Sequence, residues 1–263
     1  MNKLFPFRLG TTSYIVPDDI LPNARWLAGQ VQDVELVLFE VDDGASNLPD
    51  QEVLSELTRL AQQHDLSYTV HLPLDIRLGD NGETGHVSML KARRVIESTR
   101  DLDPFAYVLH LDGSQLKDCV GTPQYNHWVN QSVRALRLLA EWVGGAERLA
   151  VENLEHYPFS FWDPVFERSA VSRCLDVGHL WLDGLDAASI LKENLPRTRV
   201  VHLHGIDGRD HKSLAAMPLE KTRQVVEVLC EQQFSGVVTL EVFNQADFES
   251  SMDVLKQARE RQV

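Results

Sequence analysis

The chain has 263 residues, a formal net charge of −14 from 25 basic and 39 acidic side chains, and a 43% hydrophobic content. That length supports a substantial core, and the charge disfavours long nucleic acids as partners because the mean field repels polyanions. Three cysteines without a CxxC pair argue against a disulfide framework, and no apolar run is long enough for a signal peptide or membrane span. A cytoplasmic protein is expected.

Short β-branched or aromatic runs alternate with helical patterns along the chain. The first strand is expected in RLGTTSY from Arg8, followed by TTSYIVPDD rather than a glycine-rich phosphate loop, and the second in VELVLFE, Val34 to Glu40. A helix follows in DQEVLSELTRLAQQHD, where Val53, Leu54, Leu57, Leu60 and Ala61 share one face and Asp50 is placed to cap it. Strands then recur at SYTVHLP (Ser67 to Pro73), YVLHLDG (Tyr107 to Gly113) and RLAVENL (Arg148 to Leu154). Between the last two lies an amphipathic helix over residues 125–142. The remaining strands are SRCLDVGH (Ser172 to His179), RVVHLHG (Arg199 to Gly205) and GVVTLEVF (Gly236 to Phe243), with a helix near 219–229 between the final pair. Eight strands alternating with helices predict parallel pairing through crossovers, and no linker divides the chain. The expected fold is α/β, a single (β/α)8 barrel spanning 1–263, with a doubly wound open sheet as the alternative.

In such a barrel, functional side chains project from the C-terminal strand ends into one shared bowl. The expected strands end in Glu40, His71, His110, Glu152, Asp176 with His179, His202 and Glu241. Any one of these has an ordinary structural explanation. Together they crowd carboxylates so densely that divalent cations are the natural counter-charge, since unpaired buried charges cost several kcal/mol apiece. The stretch RVVHLHGIDGRDH adds His204, Asp207, Asp210 and His211. Mixed imidazole and carboxylate donors suit zinc, manganese or iron, and a set this large exceeds the three or four ligands of one catalytic zinc. Two or three metal ions are expected.

This arrangement resembles the xylose-isomerase-like β/α barrels and, within them, the AP-endonuclease (endonuclease IV) superfamily. The resemblance implies a trinuclear set of His71, His110, Glu152, Asp176, His179, His202, Asp210, His211 and Glu241, with Glu152, Glu241, Asp176 and His179 closest to the chemistry. Glu152 would be shared between two metals, one facing His71/His110 and the other Asp176/His202/Glu241, with His179 and Asp210/His211 at a third. The loop departs from the family's Asp-x-His spacing because Asp210 and His211 are adjacent, which leaves Asp207 open as the loop ligand. His204 rivals His202, although His202 better fits the family's strand position.

The stretches LGTTSYIVPDD, VELVLFE, YTVHLPLD and VHLHGIDGRDH look more narrowly like the cobamide-remodelling phosphodiesterases. That resemblance implies a small-molecule phosphodiester substrate, a cobamide, cut to cobinamide phosphate and a nucleoside. Arg209 and Lys212 are placed to grip phosphate oxygens, Tyr157 and Trp162 in EHYPFSFWDP to cover a flat ligand, and Tyr14 and Glu40 to line the bowl. Three rival readings are a mononuclear sugar isomerase or epimerase using Glu152, Asp176, His202 and Glu241, abasic-site DNA repair, which shares the full ligand set but calls for a basic rim that the charge of −14 argues against, and a metal-stabilised binding protein without catalysis.

Overall fold

The computed structural model describes residues 5–39 and 46–260. Eight parallel strands close on themselves in chain order. They are β1 (Arg8–Thr12), β2 (Asp33–Val37), β3 (Ser67–His71), β4 (Tyr107–Leu109), β5 (Leu149–Glu152), β6 (Ser172–Asp176), β7 (Thr198–Leu203) and β8 (Val237–Leu240). The barrel is therefore the observed architecture, and the open sheet is not.

The strands stop earlier than their apolar runs do. β2 ends at Val37, β4 at Leu109 and β8 at Leu240, so His110 and Glu241 lie one residue beyond their ladders. A strand leaves the ladder where its chain turns outward into a βα loop, and polar side chains can face a cavity there. Glu40 lies outside the described residues.

Nine α-helices occupy the crossovers among the described residues: α1 (Ile20–Leu27), α2 (Gln51–His64), α3 (Val87–Thr99), α4 (Pro123–Val143), α5 (Asp163–Glu167), α6 (Val177–Leu182), α7 (Ala187–Asn194), α8 (Leu219–Glu231) and α9 (Gln245–Arg259). None is long and apolar enough to cross a membrane. In α2 the Asp50 carboxylate accepts the Val53 N–H at 2.9 Å, a cap contributing about 1 kcal/mol. Its Leu54, Leu57 and Leu60 are buried, each stabilising the fold by roughly 1.5–3 kcal/mol. α4 starts at a Thr122 cap followed by Pro123, and ends where Gly144 takes φ +83°, a left-handed conformation that glycine adopts without strain.

The main apolar core lies between the strands and this helical ring. Inside the barrel a smaller cluster of Ala106, Val108, Ala150, Cys174 and Val200 packs against Phe105 near the N-terminal strand ends. Above it the interior becomes polar: Glu35, Thr69, Asp176, His202 and Thr239 are all fully buried. Register keeps the polar ends level, pairing Val37 with His71, Glu152 with Cys174, and Asp176 with His202.

Candidate metal centre

Glu152 stands at the middle of the bowl. Its Oε2 lies 3.5 Å from His71 Nε2, 3.3 Å from His110 Nε2 and 3.4 Å from His202 Nδ1. Burial alone would push this carboxyl up, but the imidazoles of His202 and His110 hold it well below the usual carboxylate range. His202 Nδ1 also faces Glu241 Oε2 at 3.1 Å and Asp176 Oδ2 at 3.8 Å. Burial disfavours a cation at His202, and the surrounding negative charge outweighs it, raising its pKa well above the ordinary value.

A second wing follows β6. Asp176 ends that strand and caps α6, accepting the His179 N–H at 2.7 Å. The Asp-x-x-His pair thus spans a helix cap, and the cap holds the imidazole over the barrel. His179 Nδ1 lies 3.6 Å from Asp176 and 3.8 Å from Glu152, and its Nε2 faces Glu155 at 3.5 Å and Asp210 at 3.7 Å. His211 closes the ring, 3.4 Å from Asp210 and 3.3 Å from Glu241.

Four histidines show the same construction, with one ring nitrogen anchored on a neighbouring oxygen and the other turned toward carboxylates. His71 Nδ1 is anchored on the Leu72 carbonyl (3.0 Å), His110 Nδ1 on Asp75 (3.2 Å), His179 Nδ1 on the Asn153 carbonyl (3.0 Å) and His202 Nε2 on Glu35 (3.0 Å). Such outer partners fix the tautomer and orientation of metal-binding imidazoles. Asn153 also clamps the Asp176 backbone, donating to its carbonyl and accepting its N–H, each at 3.0 Å.

The buried atoms themselves test whether metal ions fit. His202 Nδ1 and Glu241 Oε2 lack a hydrogen-bond partner, although they lie 3.1 Å apart. Leaving both unsatisfied costs about 1–3 kcal/mol each, whereas a shared cation satisfies both. Donor atoms gather within 4.8 Å of one another in the sets His71/His110/Glu152, Glu152/Asp176/His202/Glu241, Glu152/Cys174/His202 and His179/His204/His211. The residues fit divalent ions, and the first two sets share Glu152.

His204 enters differently from His202. Its Nε2 contacts Asp176 at 3.2 Å, and its Nδ1 sits 3.0 Å from the His211 backbone nitrogen and 3.1 Å from the Gly205 carbonyl. Burial works against the cation, yet the Asp176 carboxylate brings its pKa up to about 9. Both nitrogens are thus engaged by Asp176 and the loop backbone, while His202 keeps one aimed at three carboxylates. On the loop, Asp210 lines the bowl and Asp207 is exposed at the tip.

The bowl has a volume of about 430 Å³. Val37, Leu154, Tyr157 and Phe243 give it apolar walls, and Lys117 is the only lysine or arginine among its described lining residues. The Lys117 ammonium rests 4.0 Å over the Tyr157 ring. A recess of about 200 Å³ adjoins it, sharing His71, Asp75 and His110 and bounded by Phe39 and Leu74.

Several expected contacts are corrected. Arg209 and Lys212 do not line the bowl, because a bridge between Gly205 and Lys212 folds the loop back and leaves Arg209 exposed at its tip. Trp162 is 1% exposed and belongs to the core beneath the loop, while Tyr157 faces the bowl as expected. Tyr14 packs against Phe39 and accepts a 2.8 Å hydrogen bond from the Asn47 amide, outside the bowl lining. Sequence reasoning missed Glu35, Asp75, Asn153, Glu155 and Lys117. The signal for Glu35 was an acidic residue within a strand, VELVLFE, two positions from the bowl-lining Val37.

Comparison with known proteins agrees with this architecture. The family profile described as xylose isomerase-like TIM barrel matches residues 30–258. Among solved structures, a D-tagatose 3-epimerase-like protein superposes with a TM-score of 0.71 at 17% identity, covering 96% of this chain and 97% of that one. Endonuclease IV from Thermus thermophilus gives 0.67 at 16%, covering 95% and 98%. The probable 3-DHS dehydratase AsbF of Bacillus anthracis gives 0.70 at 11%, covering 97% and 100%. At these identities the likeness concerns the fold alone. No match was found among curated proteins.

Proposed function

We propose a metal-dependent phosphodiesterase, starting from the premise that this chain belongs to the xylose isomerase-like TIM barrel family. The observation that carries the reading is the surplus of donors. Glu152, Asp176, His202 and Glu241 suffice for one ion, yet Glu152 is shared with His71 and His110 on one side, and His179, His204 and His211 close a further set on the other. Several clustered cations suit a phosphodiester, whose anionic oxygens repel a nucleophile and whose alkoxide is a poor leaving group. Bound divalent ions would neutralise the phosphate, lower the pKa of a coordinated water toward about 7 and stabilise the departing oxygen.

The chain's own groups divide the remaining work. Glu152 and Glu241 hold the imidazoles in place, and Lys117 offers an ammonium to a non-bridging phosphate oxygen. Tyr157, Phe243, Val37 and Leu154 exclude water and offer apolar area to the rest of the substrate. A cobamide, cut at its nucleotide-loop phosphodiester to cobinamide phosphate and a nucleoside, is the substrate we favour. Apolar walls beside a phosphate site suit a macrocycle carrying one phosphodiester, and a chain of charge −14 with a single lysine and no arginine among the described bowl residues is poorly matched to duplex DNA.

Incubating the protein, loaded in turn with zinc, manganese or iron, with several cobamides should release cobinamide phosphate. Its absence across all metals and lower bases would refute the substrate. A second reading, a mononuclear sugar epimerase, is favoured by the compact Glu152/Asp176/His202/Glu241 set and predicts one tightly held ion per chain.

A further inference from the structure

The opposite end of the barrel holds a second cavity, of about 730 Å³, between the N-terminal starts of β6, β7 and β8. No aspartate or glutamate is among its described lining residues, in a chain where acidic side chains outnumber basic ones 39 to 25. Arg197 and Arg199 both line it.

Arginines at or just before the starts of β1, β5, β6 and β7 approach this end, and they differ in pairing: Arg8 pairs with Asp65 at 3.3 Å. Arg148 is neutralised by Asp103 at 2.6 Å and Arg173 by Asp163 at 2.8 Å. Arg197 instead donates Nε to the Val171 carbonyl at 2.9 Å and Nη2 to the Ser169 carbonyl. Arg199 donates only Nε, to the Phe105 carbonyl at 2.7 Å, and its guanidinium stacks 4.2 Å over the Phe105 ring. Among the described residues neither makes a carboxylate pair, so Arg197 Nη1 and both Arg199 terminal nitrogens remain to donate. Burial weakens both cations; the like charge of Arg173 adds to this at Arg197, while at Arg199 the Glu147 carboxylate partly offsets it. Guanidinium groups fixed through Nε with free terminal N–H groups are preorganised for an oxyanion.

We propose that Arg197 and Arg199 form an oxyanion-binding site at this end of the barrel, remote from the carboxylate bowl, for a small organic phosphate or carboxylate. The two charges supply affinity, and the apolar share of the lining, Phe105, Val171, Leu195 and Phe234, accommodates a modest carbon body. The proposal is independent of the reaction assigned to the bowl.

The test titrates inorganic phosphate, and separately malonate, into the full-length metal-loaded protein, followed by amide NMR and calorimetry. Shifts at Thr198, Ser235 and Gly236, with the affinity read from those amides weakened ~10-fold or more by Arg199→Gln and unchanged by Arg209→Ala at the exposed loop tip, would support it. Arg199→Lys keeps the charge but not the fork, so an intermediate loss is expected and guards against mere misfolding of the glutamine variant. Preference for phosphate or malonate identifies which oxyanion class the site takes. Shifts confined to bowl residues, binding unaffected by Arg199→Gln, or no saturable binding of either anion would overturn it.

Discussion

Glu35 and His202 are both fully buried, and the 3.0 Å contact between Glu35 Oε2 and His202 Nε2 determines which face of the imidazole meets the bowl. With Nε2 committed to a carboxylate on β2, only Nδ1 remains for Glu152, Asp176 and Glu241. The carboxylate also makes the ring a better electron donor. Glu35→Gln preserves volume and a hydrogen-bond acceptor but removes the charge. Affinity for zinc or manganese should fall about 10- to 100-fold in a chelator-competition titration, with the far-UV spectrum unchanged. Unaltered affinity would reduce Glu35 to a filler of the barrel interior.

Metal stoichiometry separates one shared site from several. Elemental analysis of the loaded protein should give two or three equivalents, and His110→Ala should lose about one of them while keeping the ion beside His202. His179→Ala should remove a different one. Glu152→Gln, which touches both of the first two sets, should abolish turnover without unfolding the barrel. A single equivalent that is indifferent to His110→Ala would favour the epimerase reading.

Lys117 and Arg209 exchange roles relative to expectation, and steady-state kinetics can tell them apart. Lys117→Ala removes the only lysine or arginine among the described lining of the bowl and should raise KM for a phosphodiester about 10-fold, roughly 1.4 kcal/mol. Arg209→Ala, at the exposed loop tip, should stay within about twofold of the parent, as surface substitutions generally do.

Much of this was legible in the sequence, for identifiable reasons. Alternation of apolar runs with helical periodicity fixed eight strands, and barrel geometry then required their C-terminal ends to share one mouth, so His71, Glu152 and Asp176 could be brought together from positions far apart in the chain. What escaped was whatever depends on the path of a loop. Arg209 and Lys212 adjoin Asp210 and His211 in sequence, but the Gly205–Lys212 bridge turns the tip outward. Lys117 lies in an unpatterned segment after β4, where no periodicity indicates direction. The anchoring partners Glu35 and Asp75 touch histidines 167 and 35 residues away, relationships that no local motif encodes.

Gly178 shows how closely the second wing is packed. A Cβ there would lie 2.0 Å from His204 Cε1, and His204 is fully buried with both nitrogens engaged. Alanine is ordinarily the better helix residue by about 1 kcal/mol, but overpacking a filled interior costs about 1–3 kcal/mol. The clash should win: Gly178→Ala should lower the thermal midpoint and, by displacing His204 from Asp176, weaken metal retention. A midpoint equal to or above the parent's would mean that His204 moves aside freely.

Asp33 offers a pH-dependent test of the barrel interior away from the ligands. It is fully buried at the start of β2, with one carboxylate oxygen accepting the Ser67 hydroxyl at 2.5 Å and the other without a partner. Burial raises its pKa from 3.8 to about 6, more than the Ser67 hydroxyl lowers it. The folded state therefore holds its proton more tightly than the unfolded chain does. This contribution to stability is fully present below about pH 4 and is lost as pH rises through about 6. A shift of about two units corresponds to roughly 3 kcal/mol. Asp33→Asn mimics the protonated form at every pH, so the stability difference between variant and parent should move in the variant's favour by up to that amount between about pH 4 and about pH 7.5. Urea denaturation at both pH values measures it, and a pH-independent difference would show that Asp33 ionises as readily in the folded barrel as in the open chain.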